Sequence, residues 1–190
     1  MADARRRVAV SWTGGKDCHL ALAEVLEQPQ AFEVVGLVTF APDTGKPFLA
    51  HPIAVMKLQA EALGFSHEVF LVTPPDPSSP TTTSGPAEPW EEAYHLALTD
   101  VHRRHGATGL VTGDIEDVAS GFMDRAVRGS GLELVRPLWE RGRRELLASI
   151  QARGFEAVFS CANVEKCGAE LAGRLVGSRL DDAALRAIEA

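Results

Sequence analysis

Apolar and polar positions alternate in two rhythms along the chain. Short β-branched runs, Arg7 to Trp12, Glu33 to Phe40, His67 to Val72, Thr108 to Thr112, Glu133 to Arg136 and Ala157 to Cys161, are separated by longer segments of helical period. The helical segments run from Lys16 to Glu27, Ile53 to Leu63, Glu91 to His105, Phe122 to Gly129, Arg143 to Arg153 and Val164 to Leu175. In the second of them Val55, Leu58, Ala62 and Leu63 recur at helical spacing and predict an apolar stripe laid on a sheet. The first, second, fourth and sixth runs are apolar at nearly every position, as strands covered on both faces should be. Strand–helix alternation of this kind predicts an α/β fold: three layers, doubly wound, with a mostly parallel sheet of about five strands. Asp181 to Ala190 reads as a short terminal helix, capped by Asp181 or Asp182, with Leu185 and Ile188 three apart for packing. The expected organisation is a single domain over 1–190 with a short strand–helix extension from about residue 155.

Thr73 to Pro89 breaks the rhythm. It holds 6 of the 11 prolines and no anchoring apolar residue, so it predicts an exposed loop, either a lid or a disordered insertion.

Composition narrows the function classes. A chain of 190 residues, 45% hydrophobic and 24% charged, is an ordinary globular one that buries roughly 70% of its unfolded surface without staples. Its net charge of −7 gives no broad field for a nucleic-acid backbone, so a nucleic-acid partner is not expected. The 3 cysteines, Cys18, Cys161 and Cys167, lack the spacing of a disulfide framework or zinc site and suit reduced thiols in a cytoplasmic protein. The apolar stretch from Val8 to Trp12 is too short for a signal peptide or a membrane span.

The chemistry concentrates between the first strand and the first helix, in Ser11-Trp12-Thr13-Gly14-Gly15-Lys16-Asp17-Cys18. Paired glycines let backbone approach an anion, and the following helix aims free N–H groups and its positive dipole end at the same point. Thr13 adds a hydroxyl, Lys16 a mobile charge, and Asp17 a cap or a water-mediated magnesium ligand. Walker spacing fails, because Val10 stands five before Gly15 and Asp17 follows the lysine, and G-x-G-x-x-G is absent. The bland alternative is a tight strand-to-helix turn.

The segment resembles the S-G-G-K-D-S loop of the N-type ATP pyrophosphatase (PP-loop) superfamily. Further stretches are similar to its diphthine–ammonia ligase branch: Trp12 to Cys18; Val35 to Phe40 with Ala50-His51 and Leu58 to Gly64; Val111-Thr112-Gly113-Asp114-Ile115; and Arg136-Pro137-Leu138-Trp139 with Glu145-Leu146-Leu147 leading into Gly154 to Val158. The branch's G-E-x-G-E segment has no counterpart here, and its Arg and Glu positions do not align with Met123-Asp124-Arg125-Ala126.

The resemblance implies a HUP-type fold, ATP with Mg2+ as cofactors, cleavage between the α and β phosphates, and an adenylated acyl intermediate attacked by an amine. Carried onto this chain, Ser11, Thr13, Gly14, Gly15, Lys16, Asp17 and Cys18 hold the phosphates, and Val38 and Thr39, near Phe40, meet the adenine through main chain. Gly113 joins the binding set, Lys16, Asp17 and Asp114 the catalytic one, and Asp17 and Asp114 are the magnesium candidates. Asp114 also reads as a helix cap, His51 either as a surface or capping residue or as one reaching the site from the second crossover, and Trp139 either as a core aromatic pinning its loop or as one stacking near a substrate. Cys18, at a helix N-terminus, is expected to have a lowered thiol pKa while acting as a loop hydrogen-bonding residue. Three functions remain open: an adenylating amide ligase acting on an unknown carboxylate and amine, an RNA-modifying member of the superfamily, and a module that binds ATP or AMP without turnover. A homo-oligomer is left open.

Overall fold

The structure, a computed structural model, describes residues 5–43, 52–73, 89–117 and 120–189. Five strands, β1 (Arg6–Ser11), β2 (Phe32–Pro42), β3 (His67–Val72), β4 (Gly109–Val111) and β5 (Glu133–Val135), form one parallel sheet in the order β3-β2-β1-β4-β5. The first helices are α1 (Lys16–Leu26), α2 (Ile53–Ala62), α3 (Pro89–His105), α4 (Phe122–Ala126) and α5 (Arg143–Ala152). The expected three-layer, doubly wound α/β architecture is what forms.

Residue alternation along β1 builds both faces. Val8, Val10 and Trp12 pack with Leu20, Leu22 and Val25 of α1, Met56 of α2 and Leu146 and Ile150 of α5. Ala9 points the other way, into a second core with Leu98 and Val101 of α3 and Ala126 of α4. The chain steps outward from β1 to β3 through α1 and α2, then returns through α3 to place β4 on the far side of β1. Because parallel crossovers keep one hand, that reversal of direction moves the helices to the opposite face. The loops after β1 and β4 therefore diverge at adjacent carboxyl ends, the crevice where open α/β sheets bind ligands.

Three local expectations change. On α2 the buried residues are Met56 and Ala60, whereas Val55 (48%) and Leu58 (66%) are exposed, so the Val55–Leu58 stripe faces outward. The run from Ala157 to Cys161 is no sheet strand: it makes one isolated antiparallel bridge, Val158 to Arg179, and Val158 is exposed. Apolar content misled there, because the run pairs with the turn after its own helix and not with the sheet. The helix expected from Val164 to Leu175 is broken at Gly168, whose φ of +77° ends α6 (Val164–Cys167) before α7 (Ala169–Leu175) starts. The terminal helix α8 (Asp182–Glu189) forms, with Asp181 Oδ1 accepting from the Ala184 N–H at 2.9 Å as a cap. His51 and residues 74–88 of the proline-rich loop lie outside the described residues.

Candidate functional site

The loop that leaves β1 is held at its root by β2. The Trp12 N–H donates to the Val38 carbonyl at 2.7 Å, and the Thr39 hydroxyl donates to the Trp12 carbonyl at 2.5 Å. With its hydrogen committed, Thr39 accepts from His67 Nε2 at 2.7 Å, which leaves the His67 Nδ1 lone pair buried and without a partner among the described residues. Burial, aided by the nearby Lys57 charge, holds the His67 ring below the ordinary imidazole value.

Beyond Trp12 the chain turns at Gly14, whose φ of +69° is in the left-handed region and whose missing Cβ would overlap the Gln59 side chain. Gln59, on α2, reaches across and donates Nε2 to the Gly14 carbonyl at 3.2 Å. Gly15 then enters α1 in extended conformation (φ −82°, ψ 167°), and no side chain caps the helix there. Lys16 Nζ lies 2.6 Å from Asp17 Oδ2, so the loop's cation and carboxylate pair with each other.

Cys18 is buried inside the turn. Its thiol donates to the Gly15 carbonyl at 3.1 Å, the Thr13 hydroxyl approaches Sγ at 3.6 Å, and burial pushes the thiol up, not down as its helix position predicts. Desolvation of the thiolate outweighs the dipole and the loop hydrogen bonds, which fits its expected part as a loop residue.

The second loop is packed onto the first through Gly113. A Cβ there would lie 2.7 Å from Asp17 C and Cys18 N, backbone that cannot step aside, so glycine is what lets the end of β4 touch the first turn of α1. Asp114 follows, accepting from the Thr112 hydroxyl at 2.8 Å and standing 3.7 Å from Arg136 Nε. Arg136 grips both carboxylate oxygens of Asp124, at 3.1 and 2.8 Å, and its guanidinium lies 4.4 Å over the Trp139 ring. Trp139 thus carries an arginine, while Leu138 is the core residue that pins the turn.

Ser11 closes β1 opposite Val38 in the register, and Val38 and Thr39 are buried, so neither of the latter presents its side chain to solvent. Both stand in an interior strand, between β1 and β3, and the Val38 carbonyl is taken by the Trp12 N–H. The glycine-loop residues and Gly113 come together at one point, whereas Asp114 stands beside Arg136. Among the described residues no group of three or more His, Cys, Asp or Glu stands where it could hold a metal. The buried Cys18 and the more accessible Cys161 and Cys167 do not gather into one.

Two cavities flank Lys16, and Ile150 lines both. One, of about 290 Å³, has Ile115, Leu146 and Leu147 for walls and Asp17 and Arg143 at its polar side. The other, of about 230 Å³, is bounded by Gly14, Gly15, His19 and Gln59 and by Phe155 and Val158 of the C-terminal extension. Burial lowers the His19 pKa. The site contacts of His19, Gln59, His67 and Arg136 escaped the sequence reading, although Gln59 and Arg136 stand in stretches it singled out. His19 carried a local signal, three residues after Lys16 on the same helix, but the other three reach the site only through long-range contacts.

No described helix is long and apolar enough to cross a membrane. Comparison with curated proteins yields no match. Among solved structures, the chain is similar to the U34-tRNA thiolase NcsA from Methanococcus maripaludis with its [4Fe-4S] cluster, at 14% identity and a TM-score of 0.52, covering 99% of this chain and 74% of that one. That likeness is one of fold. Residues 6–74, from β1 through β3 and including the glycine loop, match the family model of the diphthamide synthase N-terminal domain, and with the shared fold this match supports the PP-loop superfamily resemblance.

Proposed function

We propose that this chain binds ATP at the Gly14–Gly15 loop and uses it to adenylate a carboxylate that an amine then captures as an amide. The carrying observation is the combination at the head of α1: a glycine turn in left-handed conformation, an uncapped helix N-terminus, and a lysine standing over two adjoining cavities. The magnesium that accompanies ATP needs few protein ligands, since it keeps water and phosphate oxygens in its shell, and Asp17 is the carboxylate that would hold it in this reading.

In this reading the first-turn N–H groups hold the β and γ phosphates, and Lys16 shifts from Asp17 to the charge that grows on pyrophosphate. A carboxylate oxygen attacks the α phosphorus and pyrophosphate leaves. An amine nitrogen then bonds to the acyl carbon, the acyl–oxygen bond breaks, AMP departs with the electron pair, and the amine's proton passes to solvent. Asp114 orients the acceptor, and Arg136 positions Asp114. The thiolase similarity would add a tRNA acceptor, but the acidic balance and the separated cysteines favour the amide reading.

Calorimetry with ATP and magnesium, followed by analysis of the nucleotide products, tests this. Binding with AMP and pyrophosphate appearing upon supply of a carboxylate and an amine supports a ligase; binding with ATP left intact across such a screen supports a module without turnover. Lys16→Ala is expected to weaken ATP about ten- to a hundredfold, the worth of one charged hydrogen bond, with an unchanged urea midpoint. Unchanged affinity would remove the phosphate role from the loop.

A further inference from the structure

The two outer strands of the sheet are unlike. β5 is three residues long, too short to template another strand, whereas β3 has six, reading HEVFLV, with no proline and an unbroken register against β2. Ser66 and Val72 give their carbonyls to the N–H groups of Leu37 and Asp43, so the even-numbered residues of β3 bond to β2, and His67, Val69 and Leu71 turn their own N–H and C=O groups outward. Among the described residues no strand pairs with them. Phe70 and Val72 enter the core on the α3 face, which puts Leu71, 63% exposed, on the α2 face beside that open edge.

α2 flanks the edge with charge. Gln59 leaves one side of the helix toward Gly14, and Ala54, Lys57 and Glu61, at i, i+3 and i+7, form the exposed opposite side, where the Lys57 charge acts on His67 of β3. Neither Lys57 nor Glu61 has a partner of opposite charge among the described residues. We propose that a second copy of this chain adds its β3 antiparallel to this edge, giving a two-fold dimer in which the two sheets run on as one. The dyad pairs His67, Val69 and Leu71 with the same stretch of the partner in reverse order, so the outward backbone groups exchange hydrogen bonds and Leu71 is covered. It also lays α2 against its own copy. Lys57 and Glu61 are one helical turn apart on the same side, so the reversal sets Lys57 toward the partner's Glu61 and Glu61 toward the partner's Lys57. Backbone pairing alone accepts any extended strand; the self-complementary charges select a second copy.

Sedimentation equilibrium on the full chain tests this, and the wild type is expected to be a dimer at micromolar concentration. Val69→Pro removes an outward N–H and leaves the bonds to β2 intact; it is expected to raise the dissociation constant roughly tenfold or more, because the dyad doubles the lost bond. Lys57→Glu and Glu61→Lys each bring like charges together twice across the dyad, and each is expected to be monomeric where the wild type is dimeric. An equal mixture of those two variants restores both opposite-charge contacts and is expected to sediment as a heterodimer. Circular dichroism identifies the variants that keep the fold, and should Val69→Pro lose it, the charge variants, which alter exposed side chains alone, decide. A monomeric wild type, a dimer indifferent to both charge reversals, or folded charge variants that fail to combine on mixing would each overturn the proposal.

Discussion

Gly113 shows how much a single residue decides here. Its neighbours are main-chain atoms of Asp17 and Cys18 at 2.7 Å from where a Cβ would stand, so a side chain forces β4 and α1 apart. Gly113→Ala is therefore expected to cost about 1–3 kcal/mol in urea denaturation, the range for overpacking a tight contact, and to weaken ATP binding by displacing the first turn. Stability equal to wild type would show that the two loops can separate freely. Gly14 poses a different constraint, a positive φ combined with the approach of a side chain, and Gln59 has room to give that the α1 backbone lacks. The glycines and Lys16 were legible in the sequence because their chemistry is local. Arg136 was not, since its value lies in bringing Asp114, Asp124 and Trp139 together across separate elements.

At the scale of elements, α2 is the instructive case. Its sequence, IAVMKLQAEA, has apolar residues on more than one side, so helical periodicity alone admits two faces. The structure buries Met56 and Ala60, because Met56 then reaches the core beside Thr39 while Gln59 meets Gly14. Met56→Ala is expected to cost about 2–4 kcal/mol, as for other buried large-to-small changes, while Leu58→Gln stays within about 0.5 kcal/mol. Urea midpoints of the two variants decide it, and the reverse order would restore the outward stripe to the core. The Ala157–Cys161 run went astray for a related reason: an apolar run specifies burial of some kind, but not which partner provides it. Gly168 is visible in the sequence, but helical periodicity runs straight through it, and only its positive φ in the folded chain shows the break.

For the whole molecule, two imidazoles make stability depend on pH. Burial holds both His19 and His67 below their ordinary value, so as the pH falls below about 6.5 the unfolded chain takes up protons that the folded chain refuses. Their contribution is present above that pH and is lost on acidification. The urea midpoint is expected to drop between pH 7.5 and 5.5, with a smaller drop in His67→Gln; a midpoint that does not move, or an equal drop in the variant, contradicts this. The order of strands and helices, the parallel sheet and the glycine turn that leads from β1 into a lysine-bearing helix start were set by the sequence alone, since each depends on local period, on glycine, or on a charge beside a helix start. Tertiary structure alone decided which face of α2 is core, that Cys18 is buried and held as a thiol, that Asp114 turns to Arg136, and that two cavities meet at Lys16. Those outcomes depend on which distant segments share space, and desolvation and packing act only once that space is closed.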